Sequence, residues 1–445
     1  MSDGGAFHGL FVPDAVADAT SERAWLQAML DVEAALAAAE AEVGIVPPSA
    51  AEAIAAACDP ARFDLVELAR DARDSGSPVV PLVRELAAQL PADAAPYVHW
   101  GATSQDVMDT AAMLVAQRTL PLVDDDLRGV ARVCARLADE HRHTPMVGRT
   151  LLQQAVPITF GLKAAGWLAG VAEARERLAA LRFDAELGGA AGTLASLGSD
   201  GTRVLRAFAG RLGLSEPALP WHTARARIGE LAAGLVLAAG SLEKVALDLT
   251  LLAQTEVDEV AESSDGGRGG SSTLPHKRNP VGAVRCAACA RLVRSAATGL
   301  LGSMAQEHER ATGAWHAEWP ALSDALALTG GAAHSLREAL DGLDVRPEHM
   351  RRNLDLTGGL PMAESVAMAM AGRIGRERAK DVTDAACRRA VEADRPLRDE
   401  LLGDEVVRDL LGPDGIEQAL DPLRYLGSAD AFVDRALARY AEDGT

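Results

Sequence analysis

A short basic loop is the part of the sequence best equipped for chemistry. Residues 269–280 read GGSSTLPHKRNP and combine two serine hydroxyls with the cationic side chains of Lys277 and Arg278. Glycines permit tight or left-handed backbone, and a helix N-terminus beside cationic side chains favours bound anions. Asn279 followed by Pro280 is typical of a helix start. The stretch therefore predicts a loop that closes over an anion, not a solvated linker.

The rest of the chain is acidic, so an anion site has to be local. The 445 residues include 44 lysine and arginine residues against 64 aspartate and glutamate residues, a formal charge of −20. Nucleic acids and anionic membranes reward a positive surface, so we expect neither as a partner. The N-terminus lacks the basic residue and the apolar run of a signal peptide, and five scattered cysteines fit reduced thiols. These features predict a cytoplasmic protein.

No pattern in the sequence asks for a cofactor. The CAAC stretch at 286–289 has no second CxxC and no nearby histidine pair, so we interpret its cysteines as small buried helix residues. No metal cluster and no nucleotide fingerprint appears elsewhere. We therefore expect neither a metal nor an organic cofactor.

The composition predicts an all-α fold of three helical domains. Apolar residues make up 48% of the chain but aromatic residues only 4%, and the apolar positions follow helical spacing. Short helical patterns occupy an N-terminal domain, 1–107, and a C-terminal domain, 346–445. Long patterns fill a central bundle domain, 108–345, in which the signature loop lies at 263–280.

The clearest long pattern predicts one helix over 228–259, about 48 Å long. Its apolar residues recur three and four apart, as in a seam that packs against other helices. One chain could hardly cover such a stripe, which suggests a bundle extended by other subunits, although the stripe could also be an intrachain core. The seam consists of Ile228, Leu231, Leu235, Ala238, Leu242, Val245, Leu249 and Leu252.

Three stretches in order along the chain resemble the shared regions of the fumarase/aspartase superfamily. They are HWGATSQDVMDT at 99–110, GRTLLQQAVPITFG at 148–161 and the loop GSSTLPHKRNP at 270–280. The resemblance implies a homotetramer with active sites shared between subunits. It also implies chemistry in which a proton is removed α to a substrate carboxylate, giving a dianionic aci-carboxylate, and a group leaves the β carbon, or the reverse.

The same resemblance assigns roles to residues at the matching positions. It makes Ser271 the general base, with loop amides and Lys277 to stabilise its oxyanion. Lys277 and Arg310 are our principal candidates for binding substrate carboxylates. Asn279 either binds substrate or caps a helix, and Arg149 and Arg310 could instead be structural ion-pair partners. The predicted substrate-binding residues are Thr103, Ser104, Arg149, Thr150, Gln153, Ser272, Asn279 and Arg310.

Two positions in the sequence indicate the chemistry of the leaving group. Leu151 stands where many lyases of the superfamily carry a histidine, and Ser77 and Pro78 stand where adenylosuccinate lyases carry a histidine and aspartate pair. Strongly basic leaving groups need a proton donor, whereas a carboxylate, with a pKa near 4, departs unassisted. The sequence therefore favours a reaction that forms and breaks a lactone.

Four further stretches resemble the branch of bacterial 3-carboxy-cis,cis-muconate cycloisomerases. They are WHTARARIGE at 221–230, LAQTEVDEV at 252–260, QEHERATGAWHAEW at 306–319 and NLDLTGGLPMAESVAMA at 353–369. The branch implies conversion of a small polycarboxylate to 4-carboxymuconolactone in protocatechuate breakdown. A fumarate-releasing lyase of the adenylosuccinate or argininosuccinate type and a non-catalytic structural relative stay as alternatives.

The aromatic and histidine residues of these stretches have two interpretations. Four histidines could take part in catalysis or be hydrogen-bonded packing residues. Three tryptophans are interpreted as wall or core. The residues concerned are His99, His222, His308, His316, Trp221, Trp315 and Trp319.

Overall fold

Helices make up most of the chain. The computed structural model describes residues 6–264, 267, 269–270 and 273–442. Before residue 104 the helices are α1 (Ala6–Phe11), α2 (Asp14–Thr20), α3 (Glu22–Val43), α4 (Pro48–Ala57), α5 (Leu65–Ser75) and α6 (Val79–Ala88). The middle of the chain contains α7 (Ser104–Glu140), α8 (Phe160–Ala179), α9 (Gly201–Leu212), α10 (Ala226–Leu252), α11 (Val281–Gly302) and α12 (Ala314–Asp341). The last part contains α13 (Pro347–Asp355), α14 (Ala363–Ile374), α15 (Arg376–Ala393), α16 (Leu397–Gly403), α17 (Glu405–Leu420) and α18 (Ala429–Glu442).

Extended structure is confined to short pieces in the described chain. The strands β1 (Pro145–Thr150) and β2 (Gln153–Thr159) form an antiparallel hairpin, and β3 (Val260–Ala261) pairs antiparallel with β4 (Asp344–Val345). Single 3-10 turns lie at Pro60–Arg62, Ala95–Tyr97, Gly189–Ala191, Ala195–Asp200, Leu360–Met362 and Pro422–Arg424. The prediction of an all-α fold is confirmed.

The chain divides into two compact units. The first contains 1–127, 174–243 and 285–335. In it α3 packs against α4 and α9. The second contains 128–173, 244–284 and 336–445. In it α13 packs on β1, and α14 to α17 pack on one another around Val366, Met370 and Leu401. The three domains expected from the sequence are consecutive segments of the chain, and this division stays a prediction.

The helix predicted over 228–259 is shorter than expected. α10 ends at Leu252 after 27 residues, so it is about 40 Å long. The chain then turns, because Asp258 adopts a left-handed φ of 49° and the Glu259 amide donates to the Leu252 carbonyl at 2.9 Å. This turn brings the Glu259 carboxylate to Arg149, as described below, which a straight helix could not do.

The apolar seam of α10 is already core within one chain. Each of its eight residues is at most 4% exposed. The seam therefore needs no second subunit to cover it, and the argument from this stripe to an oligomer is wrong. Among the described residues, no helix is long and apolar enough to cross a bilayer.

The CAAC cysteines are buried, as predicted. Cys286 and Cys289 lie on α11 and are both 0% exposed. Burial raises the pKa of both thiols, that of Cys289 to about 11, so neither is a thiolate near neutral pH.

α3 carries two buried carboxyl groups. Glu33 and Glu40 are at most 1% exposed, and neither oxygen of Glu40 makes a hydrogen bond to a described residue. Burial raises the pKa of Glu40 to about 9, and the nearby Glu33 adds to the rise. Glu40 is therefore protonated in the folded protein over a range in which the unfolded chain ionises.

Glu40 should make folding stability fall as pH rises. Its pKa is about 9 when folded and near 4.5 when unfolded, so between these values the folded state binds the extra proton and stability drops with pH. We expect Glu40→Gln to flatten this slope by up to about 1.4 kcal/mol per pH unit. Glu42→Gln, on the same helix but exposed and paired with Arg211, is the matched control and should leave the slope unchanged.

Urea unfolding measured from pH 5 to 8 checks the difference. Equal slopes for wild type and Glu40→Gln would show that Glu40 ionises normally in the folded protein.

Candidate active site

Thr103 and Arg310 meet in the first compact unit. Thr103 directly precedes α7, whose first residue is Ser104, and Arg310 lies in the loop between α11 and α12. The Arg310 guanidinium donates from Nη1 to the Thr103 hydroxyl at 3.1 Å and from Nη2 to the Ala190 carbonyl at 3.0 Å. Both acceptors are uncharged, so these contacts hold the guanidinium in place without neutralising it. The arrangement offers a positioned cation and a hydroxyl to an anionic ligand.

Arg149, in the second unit, is in a different situation. Its two terminal nitrogens donate to both carboxylate oxygens of Glu259, at 2.9 and 2.7 Å. The Asn353 side chain donates to the same carboxylate at 3.0 Å. Glu259 is fully buried, so this bidentate pair neutralises Arg149 and fixes the turn after α10. The contacts favour the structural alternative for Arg149.

The β1–β2 hairpin presents its tip outward. Leu151 and Leu152 have φ of 52° and 65°, and Leu151 is 97% exposed. Two successive positive φ values in a two-residue hairpin turn are typical of type I′, which leucine adopts only under strain. Thr150 and Gln153 flank the turn as a register pair, and both are exposed. The tip therefore carries two apolar side chains between two neutral polar ones, and none of these four side chains is an acid or base of the histidine type.

The loop before α11 is closed by Asn279, although its two serines, Ser271 and Ser272, lie outside the described residues. The Asn279 backbone amide and side-chain amide both donate to the Gly269 carbonyl, at 2.9 and 3.0 Å. Gly269 has φ of 68°, and a Cβ there would lie 2.3 Å from the Asn279 carbonyl oxygen. Lys277 is exposed in this loop.

The start of α11 differs from the sequence expectation. Its first free amides, on Gly282 and Ala283, donate to the Glu262 carboxylate at 2.9 and 2.8 Å. Glu262 thus fills the cap position that we expected for Asn279, and it also occupies the helix N-terminus that we expected to attract a ligand anion. Glu262 caps the helix in place of Asn279 because a carboxylate is a better partner for these amides than a neutral amide side chain.

A buried cluster lies beneath Thr103. His222 Nε2 is 2.7 Å from Asp106 Oδ1 and 3.5 Å from Glu186 Oε1, and all three residues are at most 4% exposed. Burial and, to a smaller extent, the nearby Asp106 and Asp109 carboxylates together raise the pKa of Glu186 to about 9. These residues offer three metal-type ligand atoms within 4.8 Å of one another. However, Asp106 also accepts three backbone amides, which leaves only the one acceptor position that faces His222.

A second buried network lies one helical turn further along α7. Asp109 accepts from Arg225 Nη1 at 2.6 Å and from Trp315 Nε1 at 3.0 Å. Arg225 also pairs with Glu318, and each of these side chains is at most 3% exposed. Such a network resists disruption, because removing one partner would leave a buried charge unpaired. Trp315 is core, as expected.

The remaining histidines and tryptophans divide between surface and core. His99 has φ of 57°, and its Nδ1 lies 2.6 Å from Glu33 Oε1. Burial opposes a charge on His99, but the attraction and hydrogen bond to Glu33 outweigh burial and raise its pKa. His308 and His316 are exposed, Trp221 is core, and Trp319 stacks at an angle beside His316.

Sequence reasoning missed the carboxylates of these networks. Asp106 and Asp109 were interpreted only as part of a motif, although both lie on α7 beside the apolar stretch AAMLVA at 111–116, and every residue from 105 to 116 is buried. Glu33 and Glu40 likewise interrupt the apolar pattern of α3 at a spacing of seven, which places them on one face. Acidic residues at core positions of a helix were the available signal, because they need buried partners.

Comparisons with known proteins agree with the helical architecture. A family model described as Lyase matches residues 12–293, and one described as Adenylosuccinate lyase C-terminus matches 359–436. A 3-carboxy-cis,cis-muconate cycloisomerase from Pseudomonas aeruginosa is 47% identical over 94% of this chain and 93% of its own length. A nitrosuccinate lyase from Streptomyces davaonensis is 47% identical over 94% of this chain and 91% of its own length.

A solved structure gives the same result in three dimensions. The crystal structure of 3-carboxy-cis,cis-muconate lactonizing enzyme from Pseudomonas putida is 43% identical, covers 99% of both chains and superposes with a TM-score of 0.92. The first family model alone spans more than half of the 445 residues. Together with the three shared regions, these matches show that the chain belongs to the lyase family of the fumarase/aspartase superfamily.

Proposed function

We propose that this chain is a 3-carboxy-cis,cis-muconate cycloisomerase that forms 4-carboxymuconolactone. The observation that carries the proposal is the likeness, along nearly the whole chain, to relatives that have this activity as their name. In the reaction a substrate carboxylate oxygen forms a bond to one carbon of a double bond. The electron pair moves into a neighbouring carboxylate, and the resulting aci-carboxylate takes up a proton at its α carbon.

The hairpin tip supports a weakly basic leaving group. In the reverse direction the lactone opens by expelling a carboxylate, which needs no proton donor. Leu151, at the position of the histidine of other lyases, cannot supply one, and its neighbour Leu152 cannot either. A lyase that expels an amine would lack a proton donor at this place.

Nitrosuccinate is the second candidate substrate, because a nitrosuccinate lyase is as similar to this chain as the cycloisomerases are. Elimination from nitrosuccinate would expel nitrite, another weakly basic anion, so the same hairpin tip is compatible with it. The adenylosuccinate- and argininosuccinate-type alternative differs from nitrosuccinate elimination because it expels an amine, for which the hairpin tip offers no proton donor.

The proposed roles of the site residues follow from the charge of the intermediate. Thr103 and Arg310 bind one substrate carboxylate, and Lys277 stabilises both the substrate and the oxyanion of Ser271, which transfers the α proton. Arg149 acts through Glu259 and not on the substrate. Neutral hydrogen-bond partners for the remaining carboxylates are Ser104, Thr150, Gln153, Ser272 and Asn279. We assign no cofactor to the reaction, since proton transfer and carboxylate addition need none.

A homotetramer with shared active sites is the proposed assembly. Three leucines of α10 are 41 to 51% exposed and, at about 100° per residue, lie on the face opposite its buried seam. α11 also exposes large apolar side chains, and exposed apolar side chains on long helices favour burial by another subunit. The exposed residues are Leu237, Leu247, Leu251, Val284, Leu292 and Leu301.

The cytoplasm is the proposed location of the protein. The five free cysteines support a reducing compartment such as the cytoplasm.

Turnover of 3-carboxymuconate is the test of the proposed reaction. We expect the purified protein to remove the conjugated diene absorbance without releasing fumarate. Ser271→Ala should be about 10²- to 10⁴-fold slower, because proton transfer loses its carrier. In a parallel assay the protein is given nitrosuccinate, and the release of nitrite is measured. Nitrite release without diene decay would replace the cycloisomerase by the second candidate, and fumarate release from adenylosuccinate would reject both.

Changes at the hairpin tip test the leaving-group argument. Leu151→Met should cost at most a few-fold in kcat, and Leu151→His should give no gain, because a carboxylate needs no proton donor. Leu152→His, on the neighbouring exposed residue, controls for a histidine anywhere at the tip. The measurement is kcat from pH 5 to 8. A faster Leu151→His variant with a new titration near pH 6.5 would show that the step needs an acid.

Charge on the exposed face of α10 should break the assembly. Leu247→Glu places a carboxylate in the proposed interface, so we expect light scattering to show smaller species than the four-chain wild type while helical content is kept. Val391→Glu, on the exposed face of α15, is the control and should stay tetrameric. A monomeric wild type, or a fully assembled Leu247→Glu variant, would contradict the proposed interface.

A further inference from the structure

Asp106 is a saturated hydrogen-bond acceptor at the base of the Thr103 and Arg310 site. Its Oδ2 accepts the amides of Thr103 and Gly189, both at 2.9 Å. Its Oδ1 accepts the Gly188 amide at 2.9 Å and faces His222 Nε2 at 2.7 Å. Two donors per oxygen use the acceptor capacity of a carboxylate. The three amides leave one acceptor position on Asp106, and a hydrogen on His222 Nε2 fills it.

The amides that Asp106 holds belong to the two loops that Arg310 joins. One loop carries Thr103, and the other runs through Gly188 and Gly189 to Ala190. Arg310 bridges these loops from the outside, through the Thr103 hydroxyl and the Ala190 carbonyl. The carboxylate and the guanidinium therefore join the same pair of loops through different atoms, and the distance between Thr103 and Ala190 sets the position of the guanidinium.

The loops need these contacts because their backbone is strained. His99, in the Thr103 loop, has φ of 57°, and Leu194, just beyond Ala190, has φ of 49°. His308, two residues before Arg310, has φ of 47°. A residue in this conformation is strained and persists only where surrounding contacts enforce it. Loss of a central contact would let these loops relax away from the geometry that presents Arg310.

His222 is itself fixed from several sides. It is 4% exposed, its carbonyl accepts from Gln105 Nε2 at 2.7 Å, and the Glu186 carboxyl lies beside its ring at 3.5 Å. Glu186 also accepts the amide of the preceding residue, Trp221, at 2.5 Å. The imidazole therefore reaches Asp106 from a rigid segment, and its ring also packs against Gly188, where a Cβ would lie 2.8 Å from His222 Cε1.

We infer that His222 is a positioning residue that, through Asp106, sets the two loops on which Thr103 and Arg310 bind a substrate carboxylate. The inference rests on the proposed role of these two residues in carboxylate binding. It assigns His222 to ligand affinity and not to proton transfer, because the ring is buried under Asp106 and its Nε2 hydrogen is committed.

Ligand affinity is the direct readout. Propane-1,2,3-tricarboxylate, a saturated tricarboxylate that cannot react, is the probe, and calorimetry gives its Kd without turnover. His222→Leu removes the donor at similar volume, and we expect about 10- to 100-fold weaker binding. His222→Gln, whose side-chain amide can donate in place of Nε2, should bind within about threefold of wild type. With reacting substrate, KM should rise more than kcat falls in His222→Leu.

Two further variants separate positioning from general stability. Asp106→Asn keeps the shape but turns one acceptor oxygen into a donor against backbone amides, so it should weaken binding as His222→Leu does. Thr119→Val removes a buried hydroxyl that bonds only within α7, so it should lower the melting temperature and leave Kd unchanged.

Equal Kd values for wild type, His222→Leu and Asp106→Asn would overturn the inference, as would an absence of measurable binding in all of them. Weaker binding in His222→Gln equal to that in His222→Leu would also contradict it. A wild type that binds the tricarboxylate but does not convert 3-carboxymuconate would reject the proposed reaction and leave this result standing.

Discussion

The need to satisfy one buried carboxylate organises the first compact unit. Asp106 is 1% exposed, and an ionised group at that depth costs several kcal/mol unless donors replace its water. It finds them in three backbone amides and one imidazole, so the segments that supply the donors have to converge on it. The loops that carry Thr103 and Ala190 thereby acquire a fixed spacing. Arg310 then has a defined position, and a cationic site exists in a chain of charge −20.

Neighbouring charges decide which arginines are available to a ligand. Arg149 and Arg225 face carboxylates that neutralise them, and both pairs are tied to buried elements. Arg310 instead contacts a hydroxyl and a carbonyl, which orient it and leave its charge in place. A dianionic intermediate is stabilised best by donors that are already in position before the reaction. The difference between these arginines is therefore a difference between holding the fold and serving the chemistry.

The sequence predicted the features that depend on local periodicity and missed those that depend on contacts between residues far apart in the chain. Apolar spacing in Leu231, Leu235 and Leu242 predicted the buried seam of α10 because helical periodicity is local. The end of that helix was wrong, since it depends on a pairing of Glu259 with Arg149, 110 residues away. The cap of α11 was wrong for the same reason, because Glu262 reaches it from the preceding segment.

The predicted site shows the same division. Motif resemblance placed Thr103 and Arg310 in one site, and they are in contact, although nothing in their spacing of 207 residues implies it. The supporting cluster of Asp106, Glu186 and His222 was not found, since its members lie on separate segments and share no pattern. Only the presence of an acid in an apolar run hinted at it. Residues that act through others leave weaker marks in a sequence than residues that repeat or belong to a motif.

A double-mutant cycle between His222 and Arg310 tests the central claim most directly. If His222 acts by positioning the loops that hold Arg310, the effects of changing the two residues should not add. We predict that His222→Leu and Arg310→Met each lower kcat/KM about 10- to 100-fold, and that the double variant is within about threefold of the worse single variant. Losses that multiply in the double variant would mean that His222 and Arg310 act independently, and would contradict the account.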